Sequence, residues 1–521
     1  MEAVMKRPDF ANEAFQNFSK PEAQEEMQKA LAEVQKGYGK QYDLVIGGKH
    51  LKAPDQFASH NPCNPEEVLG LFQLGTPEIG SKAVETALKA FETWKYTPAE
   101  KRAEFCFKIA DKLREKRALF SAWLTLETGK SWVEADADTA EAIDLIEFYG
   151  HETLRYGGEQ PVTPIAGETN ELRYIALGVG IVIPPWNFPV AIMAGMTTGA
   201  LAAGNTVVLK PSSQAPGCAA KFMEVLEEVG LPAGVVNLVT GPGGKLGEAL
   251  VCNPKTRFIS FTGSKEVGLR INEHAARQQP GQIWIKRVVA EMGGKNGIIV
   301  DNEVNLQAAI EGVAISAFGY SGQKCSACSR AVVVKDVYDQ FVSGLVERTK
   351  AVTVGDVRER TNYMGPVISM DAMSTILNYI EIGRREGKLL IGGKQMERPG
   401  YFIEPTVFAD VDRNAIIAQE EIFGPVLAVI KAKDFNDALD IINDTEYGLT
   451  GSAYTTNRKK METAADRFHV GNLYFNRKST GAMVGGHPFG GFNMSGTDSK
   501  AGGRDYLLLF SQAKAISEKI A

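Results

Sequence analysis

The chain has 521 residues, of which 44% are apolar and 23% charged, with a formal net charge of −6 and six cysteines. That length allows about two to four domains and a large core, and the acidic balance offers no basic field for nucleic acid or an anionic membrane. Six cysteines are too few for a disulfide scaffold, and the N-terminal MEAVMKRPDFANEAFQNFSK lacks the apolar run of a secretory signal, so a reducing cytoplasm is the expected setting.

Residues up to about Lys40 read as charged helix, followed by a short strand and turn, YDLVIGG. From Ile79 to Tyr149, apolar residues recur at three- and four-residue spacing among many Glu and Lys, the pattern of helices. Within this region TGKS, at Thr128–Ser131, imitates the end of a phosphate-binding loop. Position 124 is Leu where that motif needs Gly, and no strand precedes it. IALGVGIVIPPWNFPVAIMAG is apolar enough to raise the question of a membrane span, but Pro184, Pro185 and Pro189 interrupt it, which favours a buried strand and turn.

Beyond it, short β-branched runs (GVGIVIPPW, NTVVLKPSS, GVVNLVTG, TRFISFTGS) alternate with helical stretches such as CAAKFMEVLEEVG. A second alternating block follows Glu291, with NGIIVD, RAVVVK, PVLAVIK and GSAYTT. The pattern predicts two parallel α/β lobes joined near Ala290. GPGGKLG, Gly241–Gly247, has a final gap one residue too long for a dinucleotide fingerprint, and a plain strand–helix turn explains it equally well. The tail, DYLLLFSQAKAISEKI, begins with a strand-like run that could pair outside its own lobe.

FGYSGQKCSACSR, Phe318–Arg330, holds Cys325 and Cys328 in a C-x-x-C spacing. A zinc clamp needs a second close pair, yet Cys63, Cys106, Cys218 and Cys252 are scattered and no His pair lies at ligand spacing, so no metal is expected. A redox dithiol should follow a strand and open a helix; this pair follows a helix and precedes a strand. Two inert buried thiols are the bland alternative, against which stand the polar Gly, Ser, Gln and Lys around them. Other short stretches have everyday explanations one at a time. Asn187 in PWNFP could merely hold a turn, Lys210 in LKPSS could be a solvated strand end, and Glu291 in EMGGKN could cap a helix.

Together and in order, PWNFP, LKPSS, FTGSKEVG, EMGGKN, the Cys325 stretch, EEIFGPV and HPFGGFNMSG resemble the NAD(P)-dependent aldehyde dehydrogenase superfamily over nearly the whole chain. The resemblance implies an α/β fold with a Rossmann-like cofactor domain (1–155 and 175–290, including the N-terminal helical extension), an α/β catalytic domain (291–490) and a small β oligomerisation arm (156–174 and 491–521). The arm would combine a hairpin at Tyr156–Tyr174 with the C-terminal strand. It makes Cys325 the nucleophile, with the Asn187 amide and the Cys325 N–H as oxyanion donors and Glu291 as the base that activates water. For the cofactor it implies Ile183, Pro184 and Trp186, Lys210 and Glu421 on ribose hydroxyls, Gly263 and Ser264 at the pyrophosphate, and Phe423 near the nicotinamide. Ser213 stands where NAD-selective relatives often carry Glu, so NAD is expected with NADP tolerated.

AEAIDLIEFY, GQIWIKRVVAEMGGKN, SGQKCSACSR and the long run from His469 to Gly502 resemble the branch that oxidises L-glutamate-γ-semialdehyde, formed from 1-pyrroline-5-carboxylate, in proline degradation. That likeness assigns Ser326, Gly481 and Ala482 to the substrate carboxylate, Glu141 to its polar end and Phe489 to a pocket wall. It implies a homodimer or higher homo-oligomer and functional coupling to proline dehydrogenase. The competing readings are an enzyme for succinate semialdehyde or an aminoaldehyde, an acylating enzyme that uses coenzyme A, and a catalytically silent relative.

Overall fold

The β-branched runs are buried on both faces, as parallel strands covered by helices must be. In the computed structural model, which describes residues 7–520, they form two seven-stranded sheets. In the first, Arg287–Glu291, Thr256–Thr262, Val179–Ile183, Thr206–Leu209 and Val236–Leu238 run parallel, and the antiparallel pair Leu44–Ile46 and Lys49–Leu51 completes one edge. Strand order reverses between Val179–Ile183 and Thr256–Thr262, which opens a crevice at their carboxyl ends. The second sheet has the order Lys388–Ile391, Thr406–Ala409, Val426–Ala432, Arg330–Val334, Gly297–Val300, Thr450–Tyr454, Asn472–Phe475, with only the first strand antiparallel. Alternate residues feed separate cores: Ile298 and Val300 join one apolar cluster and Ile299 the other.

The chain crosses from the carboxyl end of the first sheet, at Glu291, to the amino end of the second, at Gly297, through residues 292–296. This short crossing makes the two sheet edges face one cleft.

Helices Pro77–Trp94, Ala99–Glu115, Arg117–Thr128 and Trp132–Gly157 fill the predicted helical region. The last is buried along most of its length despite its many acids. Several of its carboxylates are paired: Asp136 with Arg117, Glu147 with Arg7 and Arg114, and Asp144 with the Glu13 N–H and the Asn12 amide. Those bonds correct the expectation of helix throughout the first forty residues. Residues 7–17 run without regular structure along this helix, because its carboxylates take their N–H groups and arginine, and helix begins only at Pro21–Lys36.

Two further expectations change. The segment 156–174 gives no hairpin; it holds one strand, Glu168–Ala176, which pairs antiparallel with Ser511–Lys519. The strand-like run Tyr506–Phe510 is a 3-10 turn that buries Tyr506, Leu507 and Phe510, and the strand starts after it. No helix among the described residues is long and apolar enough to cross a membrane.

TGKS proves to be a helix end. Gly129, at φ 73°, caps Arg117–Thr128. Lys130 is fully buried, 2.7 Å from the equally buried Asp138, with its ammonium over the Phe188 ring at 3.6 Å. Asp138 also accepts the Ala191 N–H at 2.7 Å, which ties the PWNFP turn to the helix Trp132–Gly157. Asp138→Ala leaves an unpaired buried cation and is expected to lower stability by about 3–5 kcal/mol. Urea unfolding of the full chain measures this.

Candidate active site

The helix Leu306–Phe318 ends in a turn with Tyr320, Ser321 and Gly322 at φ 53°, 56° and 69°. The first two are costly for residues with a side chain, so the fold must hold them there. Ser321 Oγ donates to Gly365 O at 2.7 Å, and buried Gln323 donates to Pro366 O and accepts the Ile368 N–H. A Cβ on Gly322 would fall 2.2 Å from Gly424 O, so only glycine fits. The turn delivers Cys325, half-buried, to the cleft. Cys328 points the other way into the apolar core, with its thiol on Arg330 O. The two cysteines therefore have separate surroundings, and their spacing makes no clamp.

Burial pushes the Cys325 thiol up to about 12, with Glu421, Glu291 and Glu141 adding to the shift and the Ser326 N–H opposing it. Asn187, on the turn after strand Val179–Ile183, donates from its amide to Gln323 O at 3.0 Å, which leaves its second amide hydrogen beside the same loop. The Cys325 N–H donates to no acceptor among the described residues. Glu291 ends its strand with one carboxylate oxygen on the Gly491 N–H and the other on the Ser499 N–H, both at 3.1 Å. Burial nevertheless outweighs these bonds and pushes it up to about 7. Glu421 is likewise raised to about 7 by burial and accepts the Gly294 N–H at 2.9 Å. Phe423, at φ 55°, meets Trp186 edge-on at 5.6 Å between ring centres. Burial, reinforced by Asp138, pushes Glu141 up to about 8.

A cavity opens at the carboxyl ends of the strands Val179–Ile183 and Thr206–Leu209. Ile183, Lys210, Gly243, Gly244 and Arg270 are on its wall. Pro184, next to Ile183, is buried in the turn. Lys210 is buried, bonded through Nζ only to Pro211 O, and burial lowers it to about 8. The Ser213 hydroxyl is buried without a partner. Gly263 gives its N–H to Glu291 O, and a Cβ there would meet the Phe261 ring at 2.6 Å, so its contribution is space. Ser264 caps the helix Lys265–Ala276, its hydroxyl accepting the Val267 N–H. A buried amine and hydroxyl with acceptors still to find, above a glycine wall, suit the ribose and phosphates of a dinucleotide. Sequence reasoning set GPGGKLG aside. The structure puts its last three glycines on this wall, and the only signal was four glycines in a seven-residue run shortly after a strand.

On the other side of Cys325, Ser326 O accepts from Ser479 Oγ at 3.2 Å and from Thr450 Oγ1 at 3.4 Å. These bonds bring Ser326 to the loop that carries Gly481 and Ala482. Gly481, at φ 75°, is held by Arg477, which donates to Thr480 O and Gly481 O, and the buried Thr480 hydroxyl has no partner. Phe489 exchanges backbone hydrogen bonds with Ala501 below that loop. Cys325 thus stands among buried carboxylates, with Ser326 tied to the loop that carries Gly481 and Ala482.

The aldehyde dehydrogenase family profile matches residues 50–516. A 1-pyrroline-5-carboxylate dehydrogenase of Geobacillus thermodenitrificans is 55% identical over 98% of this chain and 99% of its own length. The crystal structure of 1-pyrroline-5-carboxylate dehydrogenase from Thermus with bound NAD superposes with a TM-score of 0.97 at 48% identity, covering 99% of this chain and 100% of that one. Proline utilization A from Bdellovibrio bacteriovorus, inactivated by N-propargylglycine, matches with a TM-score of 0.97 at 43% identity, covering 99% of this chain and 54% of that one. By fold and by sequence along almost its full length, this chain belongs to the aldehyde dehydrogenase family.

Proposed function

We propose that the protein oxidises L-glutamate-γ-semialdehyde, formed from 1-pyrroline-5-carboxylate, to L-glutamate with NAD as oxidant. The observation that carries this reading is the tie from Ser326 to the Ser479–Ala482 loop, beside a half-buried thiol. The Ser326 and Thr480 hydroxyls with the Gly481 and Ala482 N–H groups suit a substrate carboxylate without a cationic clamp. Glu141 suits the substrate ammonium, and Phe489 packs the chain between them. The names of the 55%-identical relative and of the Thermus protein support the same substrate, and the NAD in the latter supports the cofactor.

The Cys325 sulfur bonds to the aldehyde carbon and its proton passes to Glu291. The oxygen becomes an oxyanion held by the Asn187 amide and the Cys325 N–H. NAD would supply the hydride acceptor for that carbon. Lys210 and Glu421 would hold its ribose hydroxyls, Ser264 would face the pyrophosphate, and Trp186 and Phe423 would wall the nicotinamide side. A thioester on Cys325 remains. Glu291 releases the thiol proton to solvent and then takes a proton from water, whose oxygen attacks the thioester; the S–C bond breaks, the Cys325 thiolate takes that proton back from Glu291, and glutamate leaves. Serine at position 213, rather than an acid, leaves room for NADP.

We also divide the chain as the family resemblance suggests, into a cofactor domain, a catalytic domain and an arm. The two-stranded ribbon Glu168–Ala176 with Ser511–Lys519 has mostly exposed residues, and such a ribbon is marginal alone. Pairing with a second copy suits it. The likeness to proline utilization A supports supply of the substrate by a proline-oxidising enzyme.

Reduced-cofactor formation with 1-pyrroline-5-carboxylate, succinate semialdehyde and an aminoaldehyde, each with NAD and NADP, tests the assignment. The pyrroline substrate should give the highest kcat/KM, NAD should outperform NADP, and NADP should give measurable turnover. Preference for another aldehyde would overturn the substrate, and silence with NADP would overturn the tolerance. Cys325→Ala should abolish turnover while NAD still binds, and Cys328→Ser should keep most activity; equal loss in both would restore a paired role. Activity requires the Glu291 carboxylate, so it should fall as pH drops below about 7. Glu291→Gln should lose that limb together with at least about 100-fold in kcat, read from pH–rate profiles.

A further inference from the structure

Helix Glu248–Cys252 faces helix Lys265–Ala276 across the cavity beneath Lys210. Glu248 and Cys252, four residues apart, share a helix face. His274 meets them from the last turn of the neighbouring helix. Cys252 Sγ lies 3.3 Å from His274 Nδ1, and that nitrogen lies 3.7 Å from Glu248 Oε1. All three donor atoms fall within 4.8 Å of one another. Ligands on a tetrahedral zinc ion, with bonds of about 2.0–2.3 Å, stand roughly 3.4–3.6 Å apart, so two of the three separations already bracket that spacing. Burial raises the Cys252 thiol and Glu248 adds to the shift, while Lys286 and Arg277 oppose it. The oxidation described above uses none of these three side chains.

We propose that Glu248, Cys252 and His274 bind a zinc-class divalent transition metal on the wall of the nucleotide cavity. Thiolate and imidazole select such an ion over magnesium or calcium, which take oxygen ligands. On binding, the Cys252 thiol releases its proton to solvent and the sulfur ligates as thiolate; water completes the fourth position. Glu248 and His274 also line the cavity, so a metal there narrows the space given above to NAD, and the two ligands oppose each other. This antagonism rests on the proposed cofactor site; the metal site itself does not.

Cobalt and zinc binding to the full chain, in a Cys325→Ser background that removes the other half-exposed thiol of the cleft, tests the proposal. One Co2+ per chain should bind with a thiolate-to-cobalt charge-transfer band in the near ultraviolet, and Zn2+ should displace it. Adding Cys252→Ser should abolish the band, and adding His274→Ala should weaken metal binding at least tenfold. Saturating Zn2+ should raise the Kd for NAD at least threefold, and only while Cys252 is present. A missing band, or a stoichiometry that Cys252→Ser leaves unchanged, overturns the site. One-to-one binding with an unchanged Kd for NAD overturns the antagonism. Failure of the metal-free chain to bind NAD overturns the cofactor reading and leaves the metal result standing.

Discussion

Asn296 holds the cleft together. Its amide donates to Cys325 O at 2.6 Å and Ala327 O at 3.0 Å, and its side-chain oxygen accepts the Thr450 N–H at 2.9 Å. Its own carbonyl accepts the Ser329 and Arg330 N–H groups. Every polar atom of the side chain is engaged, and the residue is 3% exposed. It stands at the last position of the crossing between the sheets, so the crossing, the cysteine loop and the strand Thr450–Tyr454 keep one relative placement. Truncating it would leave two carbonyls and an N–H without partners in a buried region, each a cost of about 1–3 kcal/mol. Glu291, at the other end of the same crossing, inherits its distance from Cys325 from this arrangement.

The burial that makes the cleft rigid also sets its charge state. Glu291, Glu421 and Glu141 are all raised towards or past neutrality, and the Cys325 thiol is raised further by the same carboxylates. Each of the three carboxylates therefore disfavours the Cys325 thiolate. Moving a proton from Cys325 to Glu291 leaves the net charge of the cleft unchanged. That transfer avoids most of the desolvation penalty that ionising the thiol alone would carry. The polar company of Cys325 in the sequence suggested an accessible thiol; the structure half-buries it among carboxylates, and burial holds the thiol in its protonated form.

Much of the fold was legible because its elements have strong periodicity. The β-branched runs and the helical spacing of 79–149 came out as strands and helices, and the chain passes from one sheet to the other after Glu291. The failures share a cause. Residues 7–17 look helical by charge pattern, yet partners on a distant helix, Asp136, Asp144 and Glu147, claim their polar groups. Tyr506–Phe510 looks like a strand, yet burial against Tyr149 and Phe258 turns it into a 3-10 segment. In the site, Cys325, Asn187 and Glu291 stood out in short motifs. Asn296, Gln323 and Lys130 did not, because their task is to hold other residues and shows only in their contacts.

The sequence by itself determined the local chemistry: which strands are buried on both faces, where turns demand glycine, and which motifs carry a thiol, an amide and a carboxylate in family order. Those properties depend on neighbours within a few residues. Tertiary structure decided which of two cysteines faces the cleft, how far burial shifts each acid, and that GPGGKLG walls a cavity. It also joined Cys252 to His274, 22 positions away, although cysteine spacing alone had argued against any metal site. Spacing along a chain measures closeness only within one element, and these groups meet because separate helices pack against one sheet.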